Sequence, residues 1–184
     1  MDHFRTLHTE YISNHHYFTA RKDGYETPTG KIVDPYFVVE MPDAAVAMAI
    51  TEDDKVVLIK QYRHPIEQMS VELSGGFIDA GEKPEEAIAR ELAEETGYEF
   101  SNFHFLGKTY SNPGVLNNAS HMFLATGGRK ASAQKLDDNE EIEVLFKSLS
   151  EVKEMLMAGE FKQSLHSLLL FYAFGLIDSR REQI

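Results

Sequence analysis

Three carboxylates, Glu91, Glu94 and Glu95, crowd into a stretch whose pattern predicts a helix from Pro84 to Thr96. Pro84 suits a first helical turn, and Gly97 suits a C-terminal cap. With Ile88 set to zero and about 100° per residue, Leu92 falls near roughly 40°, Ala87 near roughly 260° and Tyr98 near roughly 280°. These positions define the apolar face. Glu95, at roughly 340°, and Glu91, at roughly 300°, fall inside the same sector, with Glu94 at its edge. An unpaired carboxylate turned into a core costs on the order of several kcal/mol, so this placement calls for a cation. Carboxylates at i and i+4 lie one above the other and can grip one hard ion through oxygen. Magnesium fits, because it favours one or two carboxylates plus water and substrate phosphates; manganese is the alternative. The competing reading is a solvated acidic face knitted by Glu86, Arg90 and Glu94 at i,i+4 spacing, and the helix pattern by itself leaves both open.

Composition narrows the chemistry. The 184 residues carry 18 Lys and Arg against 30 Asp and Glu, a formal net charge of −12. Sequence-independent nucleic-acid binding is driven by phosphate neutralisation, so an acidic chain is not expected to bind nucleic acid. An anionic substrate instead needs a local device against repulsion, which a bound divalent cation supplies. The absence of cysteine excludes disulfides, thiolate nucleophiles and cysteine-based zinc sites. No apolar run is long enough to span a bilayer, and Met1 to Arg5 lacks a signal-peptide core, so no membrane association is expected and the cytoplasm is.

The elements around the carboxylates are mixed. Ala44 to Ile50 and Val56 to Tyr62 are apolar strands joined by the polar turn Glu52 to Lys55, which predicts a hairpin. Val71 to Leu73 is a short strand running into Gly75-Gly76. Phe103 to Tyr110, His121 to Thr126 and Ile142 to Phe146 are further strands, and Ser150 to Met157 and Lys162 to Gly175 are helices. Without a regular βαβ rhythm, these predict a mixed sheet flanked by helices. The first fourteen residues carry no pattern. Tyr17 to Val39 alternates short β-prone pieces with turn signals at Asp23-Gly24 and Pro28-Thr29-Gly30. His15-His16 is no metal pair, because neighbours in a strand point to opposite faces.

Gly76, five residues, Glu82, seven residues, then Arg90-Glu91-Leu92-Ala93-Glu94-Glu95-Thr96-Gly97-Tyr98 resembles the Nudix box at every fixed position. Tyr98 is aromatic where an aliphatic residue is more usual. Gln61-Tyr62-Arg63-His64-Pro65, Glu72 to Glu82, and Pro113 sixteen residues after Gly97 resemble the branch of ADP-ribose and nucleoside diphosphate sugar pyrophosphatases. Ser74-Gly75 stands where Pro-Ala is common, and Asn117-Asn118 occupies a loop that often carries an acidic residue in that branch.

The resemblance implies an α/β (α+β) fold: a Nudix α/β/α sandwich with a mixed sheet over residues 41–184. Residues 1–40 form a small β-rich section expected to support a homodimer. It implies hydrolysis of the diphosphate bond of ADP-ribose or another nucleoside diphosphate sugar. Glu91 and Glu95 are then metal ligands, Glu94 a ligand directly or through water, and the Gly75 carbonyl the backbone ligand. Glu82 and Arg90 orient the carboxylates, so Arg90 and Glu94 are expected to serve catalysis. Related sugar-diphosphate enzymes often take their general base from a loop outside the box. Here the run Asp137-Asp138-Asn139-Glu140-Glu141 offers Glu140 first, then Glu141.

Arg63 is the expected phosphate clamp, because guanidinium grips phosphate at two points, with Arg21 second. Tyr36 or Phe37 is expected to stack on a base, unless it is simply core. Asn117 and Asn118 complete the candidate substrate contacts. The alternatives to this function are a nucleoside triphosphate or dinucleotide pyrophosphatase and a non-catalytic ligand sensor. The flanking motifs weigh against the first. The intact Glu91, Glu94 and Glu95 set weighs against the second.

Overall fold

The computed structural model describes residues 3–15, 18–137 and 139–181, with the backbone alone for Arg180 and Arg181. His16, Tyr17 and Asp138, named above, lie outside the described residues. The chain divides into two compact units, Met1–Asp43 with Tyr110–Ala119, and Ala44–Thr109 with Ser120–Ile184.

In the first unit, β1 (Arg5–His15), β2 (Phe18–Glu26) and β3 (Ile32–Glu40) form an antiparallel sheet in that order. Side chains on both faces of β1 are largely exposed, so no burial period marks it in the sequence. The turn after β2 closes where Gly30 N–H meets the Thr27 carbonyl at 2.9 Å, with Gly30 at φ 81°. Asp23-Gly24 is not a turn. β2 runs through it, and the register with β3 slips between Asp23 and Tyr25. The His8 ring fills the space a Cβ at Gly24 would need, so this glycine marks a close approach. The 110–119 segment is tied down by polar groups. Val39 N–H donates to the Val115 carbonyl at 2.9 Å, and Ala119 N–H donates to Asp43 at 2.8 Å.

The second unit holds an eight-stranded sheet. Its strands are β4 (Ala44–Thr51), β5 (Lys55–Arg63), β6 (Gln68–Glu72), β7 (Ser74–Phe77), β8 (Tyr98–Glu99), β9 (Asn102–Thr109), β10 (Ser120–Lys130) and β11 (Glu143–Ser148). β10 lies parallel to β4 while the remaining pairs are antiparallel, so the sheet is mixed. β4 and β5 pair only at Ala49–Val57 and Ile50–Val56, then splay. The start of β4 pairs with β7 and the end of β5 with β6, which lays Gly75-Gly76 along β4.

Alternation along the strands sorts the core into two layers. Ala45, Ala47, Ala49, Val57, Phe123 and Ala125 face Ala87, Ile88 and Leu92 of α1 (Pro84–Thr96). Val46, Met48, Leu58 and Leu124 face Val152 and Leu156 of α2 (Leu149–Met157) and Leu169 and Leu170 of α3 (Ser164–Arg181). This is an α/β/α sandwich. α3 runs past Gly175, because Leu176 and Ile177 still pack on the core and the glycine has no positive φ to end the helix. Among the described residues, no helix is long and apolar enough to cross a membrane.

Candidate active site

The site is built where β7 meets α1. Gly75 lies opposite Val46, and Gly76 opposite Ala45. A Cβ at Gly75 would run into the Ala45 carbonyl and Val46, and one at Gly76 would run into the Glu91 carboxylate. The glycine pair thus lets two chains and a carboxylate approach one another. α1 starts with the Glu86 carboxylate accepting from Lys83 N–H at 3.2 Å. It ends at Gly97, left-handed at φ 70°, whose N–H donates to Ala93 O at 2.9 Å.

Arg90 organises the outer carboxylates. Its guanidinium donates to both oxygens of Glu82 at 3.0 Å, to Glu91 Oε1 at 2.7 Å, to Glu94 Oε2 at 3.1 Å and to the Phe77 carbonyl at 3.1 Å. The Glu82 hydrogen bonds hold the Arg90 pKa well above its ordinary value, and Arg90 in turn lowers Glu82. Burial pushes Glu91 up, with Arg90 opposing and the charges of Glu94 and Glu140 adding to it.

Glu95 has no guanidinium hydrogen-bonded to it among the described residues. It is 5% exposed, and its Oε2 accepts from Ser74 Oγ–H at 2.5 Å and from Gly75 N–H at 3.2 Å. Burial pushes its pKa up to about 8, against the Ser74 and Gly75 hydrogen bonds and with the help of the Glu91 and Glu140 charges. Two acids therefore sit in a low-dielectric corner, and among the described residues no cationic side chain bonds directly to Glu95, the Arg63 charge reaching it only from a distance. The donors are all hard oxygens. Among the described residues, no three His, Asp or Glu side chains form a ready-made cage. The set on offer is Glu91, Glu95 and the Gly75 carbonyl, and that fits the one or two carboxylates magnesium takes.

A second segment closes over the end of α1. Lys130 Nζ donates to Thr96 O at 3.1 Å, Ala131 N–H to Gly97 O at 2.9 Å and Lys135 N–H to Glu94 O at 2.8 Å. The Gln134 amide donates to Glu95 O at 2.7 Å and to Ile142 O at 3.1 Å. These donors satisfy carbonyls that a helix end leaves open. They also anchor the loop that carries Glu140 and Glu141, both exposed. The Glu140 carboxylate accepts from Asp137 N–H at 3.2 Å, and its charge reaches Glu91, Glu95 and Arg63.

Arg63 is not a free clamp. Its Nε and Nη2 donate to Glu72 at 2.9 Å and 2.6 Å, leaving Nη1 as the end without a partner among the described residues. Burial pushes Glu72 up, but the Arg63 hydrogen bonds and charge outweigh it and hold the carboxyl below its ordinary value. His166 of α3 lies beneath this corner. Its Nδ1 accepts from Leu73 N–H at 3.3 Å, and burial lowers its pKa to about 4.

The remaining candidates belong to the first unit. Arg21 donates to Glu40 at 2.6 Å and faces Asp23 at 3.3 Å. The Tyr36 hydroxyl donates to Gly114 O at 2.8 Å, and its ring meets Tyr25 edge-on. Asn117 accepts from Met41 N–H at 3.0 Å, and Asn118 donates to Pro42 O at 3.0 Å. Sequence reasoning assigned no role to Gln134 or His166, whose partners are distant in the chain. Nor did it pair Glu72 with Arg63 or Ser74 with Glu95.

Residues 41–168 match the family model described as the NUDIX domain, more than half of the chain. The chain belongs to the Nudix family. This Nudix hydrolase is 32% identical over 153 residues to a methanol dehydrogenase activator of Bacillus methanolicus, covering 83% of this chain and 82% of the relative. It is 30% identical over 157 residues to an ADP-ribose pyrophosphatase of Bacillus subtilis (strain 168), covering 85% and 84%. The crystal structure of an ADP compounds hydrolase superposes with a TM-score of 0.84 at 23% identity, over 96% of this chain and 95% of that one, and shows the same fold. Nudix hydrolases generally use divalent metal ions.

Proposed function

We propose that this Nudix hydrolase cleaves the diphosphate bond of ADP-ribose or another nucleoside diphosphate sugar, with magnesium or manganese, to a nucleoside monophosphate and a sugar phosphate. One observation carries the reading: Glu95 is buried beside Glu91 with hard-oxygen neighbours and, among the described residues, no cationic side chain bonded to it. Glu91, Glu95 and the Gly75 carbonyl would hold the ion, with Glu94 reaching it directly or through water. An ion held there would supply charge neutralisation of the diphosphate, polarisation of phosphorus and a lowered pKa for water.

The chain's own residues do the rest. Arg90 keeps Glu82, Glu91 and Glu94 in register. Water oxygen bonds to phosphorus, the bridging P–O bond breaks, and Glu140 takes the water proton, with Glu141 second in line. Arg63 offers Nη1 to a phosphate oxygen, held in place by Glu72. In the first unit, Tyr36 lines a cleft of about 340 Å³ with Phe4 and Tyr25, and such aromatic walls suit a nucleobase. Arg21, Asn117 and Asn118 are further proposed contacts. The first unit is also the proposed homodimer surface, given exposed Phe4, Ile12, Phe18, Ile32 and Phe37; a monomeric sedimentation profile overturns that part. The cytoplasm is the proposed compartment.

The test is hydrolysis of a panel of nucleotide sugars, dinucleotides and nucleoside triphosphates in labelled water, repeated with Glu91→Gln and Glu140→Gln. Nucleotide sugars should lead the panel, and Glu140→Gln should cost about 100-fold. Triphosphates ahead of sugars overturn the substrate class, and little loss from Glu140→Gln moves the base elsewhere. The relative named as a methanol dehydrogenase activator supports a second reading, action on a dehydrogenase. Adding the chain to a methanol dehydrogenase assay, with Glu91→Gln as control, tests it; unchanged turnover removes it.

A further inference from the structure

We infer that Ser74 is a positioning residue for the ion, fixing the Glu95 carboxylate so that Oε1 is the oxygen left for a cation. This rests on the proposed metal site. Ser74 is fully buried on β7, opposite Ala47. Its Oγ–H donates to Glu95 Oε2 at 2.5 Å, and the neighbouring Gly75 N–H donates to the same oxygen at 3.2 Å. One donor alone would let the carboxylate pivot about its hydrogen bond. Two donors on one oxygen, from side chain and backbone, fix both the plane and the direction of the group.

The hydroxyl and the acid also need one another. A buried hydroxyl without an acceptor costs on the order of 1–3 kcal/mol, and Glu95 is the acceptor that Ser74 finds. Among the described residues Glu95 has no guanidinium or ammonium bonded to it, and Ser74 is its one side-chain donor. Donors behind a metal ligand orient it, and their loss typically weakens metal binding by about 10–100-fold.

The experiment is a Mn2+ titration without substrate, following free Mn2+ by electron paramagnetic resonance. The proteins are wild type, Glu91→Gln, Ser74→Ala and Ser74→Cys, with both Ser74 variants repeated in a Glu95→Gln background. Circular dichroism confirms folding, and Ser74→Cys keeps the side-chain volume with a weaker donor, so it reads the hydrogen bond even if the alanine cavity unfolds the chain. Ser74→Ala should bind Mn2+ about tenfold more weakly, Ser74→Cys less so, and neither should add to Glu95→Gln. Wild-type affinity in folded Ser74→Ala or Ser74→Cys overturns the inference. So does an equal loss in the Glu95→Gln background. Failure of wild type to bind, or a Glu91→Gln variant that binds as well as wild type, overturns the metal site itself and with it the role of Ser74.

Discussion

Two corners of the second unit bury an acid and treat it in opposite ways. Where β5 meets β6, Glu72 is closed off by Arg63 through two hydrogen bonds, and its carboxyl is held ionised. Where β7 meets α1, Glu95 receives only a hydroxyl and an amide, and its pKa rises to about 8. Both acids are nearly inaccessible, at 2% and 5% exposure, and burial pushes both upward. What sets them apart is the directly bonded guanidinium, which Glu72 has and Glu95 does not have among the described residues. Under the proposed function, the second corner is the one that takes a divalent cation in place of the guanidinium that the first corner has.

The largest expected effect breaks the open corner. Glu91→Gln should lower diphosphate hydrolysis by about 1,000-fold while circular dichroism stays native, because the lost group acts on chemistry and not on the core. Next comes the closed corner. Arg63→Met strands a buried carboxylate and should lower the unfolding free energy by about 3 kcal/mol in urea. Glu95→Gln, measured with a chelator present, should leave stability unchanged or higher, since it removes a buried acid that burial disfavours in its charged form. Equal destabilisation by the two variants would erase the contrast.

The contrast was only half legible in the sequence. α1 was legible to the residue, because Pro84 and Gly97 are local signals and the wheel places Glu91 and Glu95 toward the core. The two core layers were not read from the sequence, where β4 and β5 appear as apolar runs; only in β4 do small residues, Ala45, Ala47 and Ala49, mark the α1 side. Arg63 looked free because its partner lies nine residues on, brought back by the 3-10 turn His64–Ile66 and a left-handed Glu67. β1 was invisible because neither face is buried. Asp23-Gly24 looked like a turn because local chemistry cannot reveal that His8 fills the space beside the glycine. The anchoring of the 131–142 loop on α1 was out of reach for the same reason: its partners lie some forty residues upstream, Gln134 to Glu95 being a separation of 39.

Smaller effects sharpen the same picture. Unfolded, a histidine takes up its proton near 6.5, whereas folded His166 does so only near 4. Between these values the unfolded chain binds more protons, so stability rises with pH. The contribution is complete above pH 6.5 and is lost as the pH falls toward 4. The slope is at most about 1.4 kcal/mol per pH unit. His166→Asn keeps an acceptor for Leu73 N–H without titrating there, and should flatten that acid limb in urea melts taken from pH 7 to 4. Gln134→Ala comes last. It frees the loop bearing Glu140 and should lower kcat roughly fivefold with Mn2+ affinity unchanged. A matching loss of Mn2+ affinity would place Gln134 in support of α1 instead.

The most direct measurement is an anomalous difference map, collected at the manganese edge from crystals soaked in Mn2+. A peak among Glu91, Glu95 and the Gly75 carbonyl is the predicted result, with no peak at Glu72. A map without density between those three groups, at a Mn2+ concentration that supports turnover, would contradict the account.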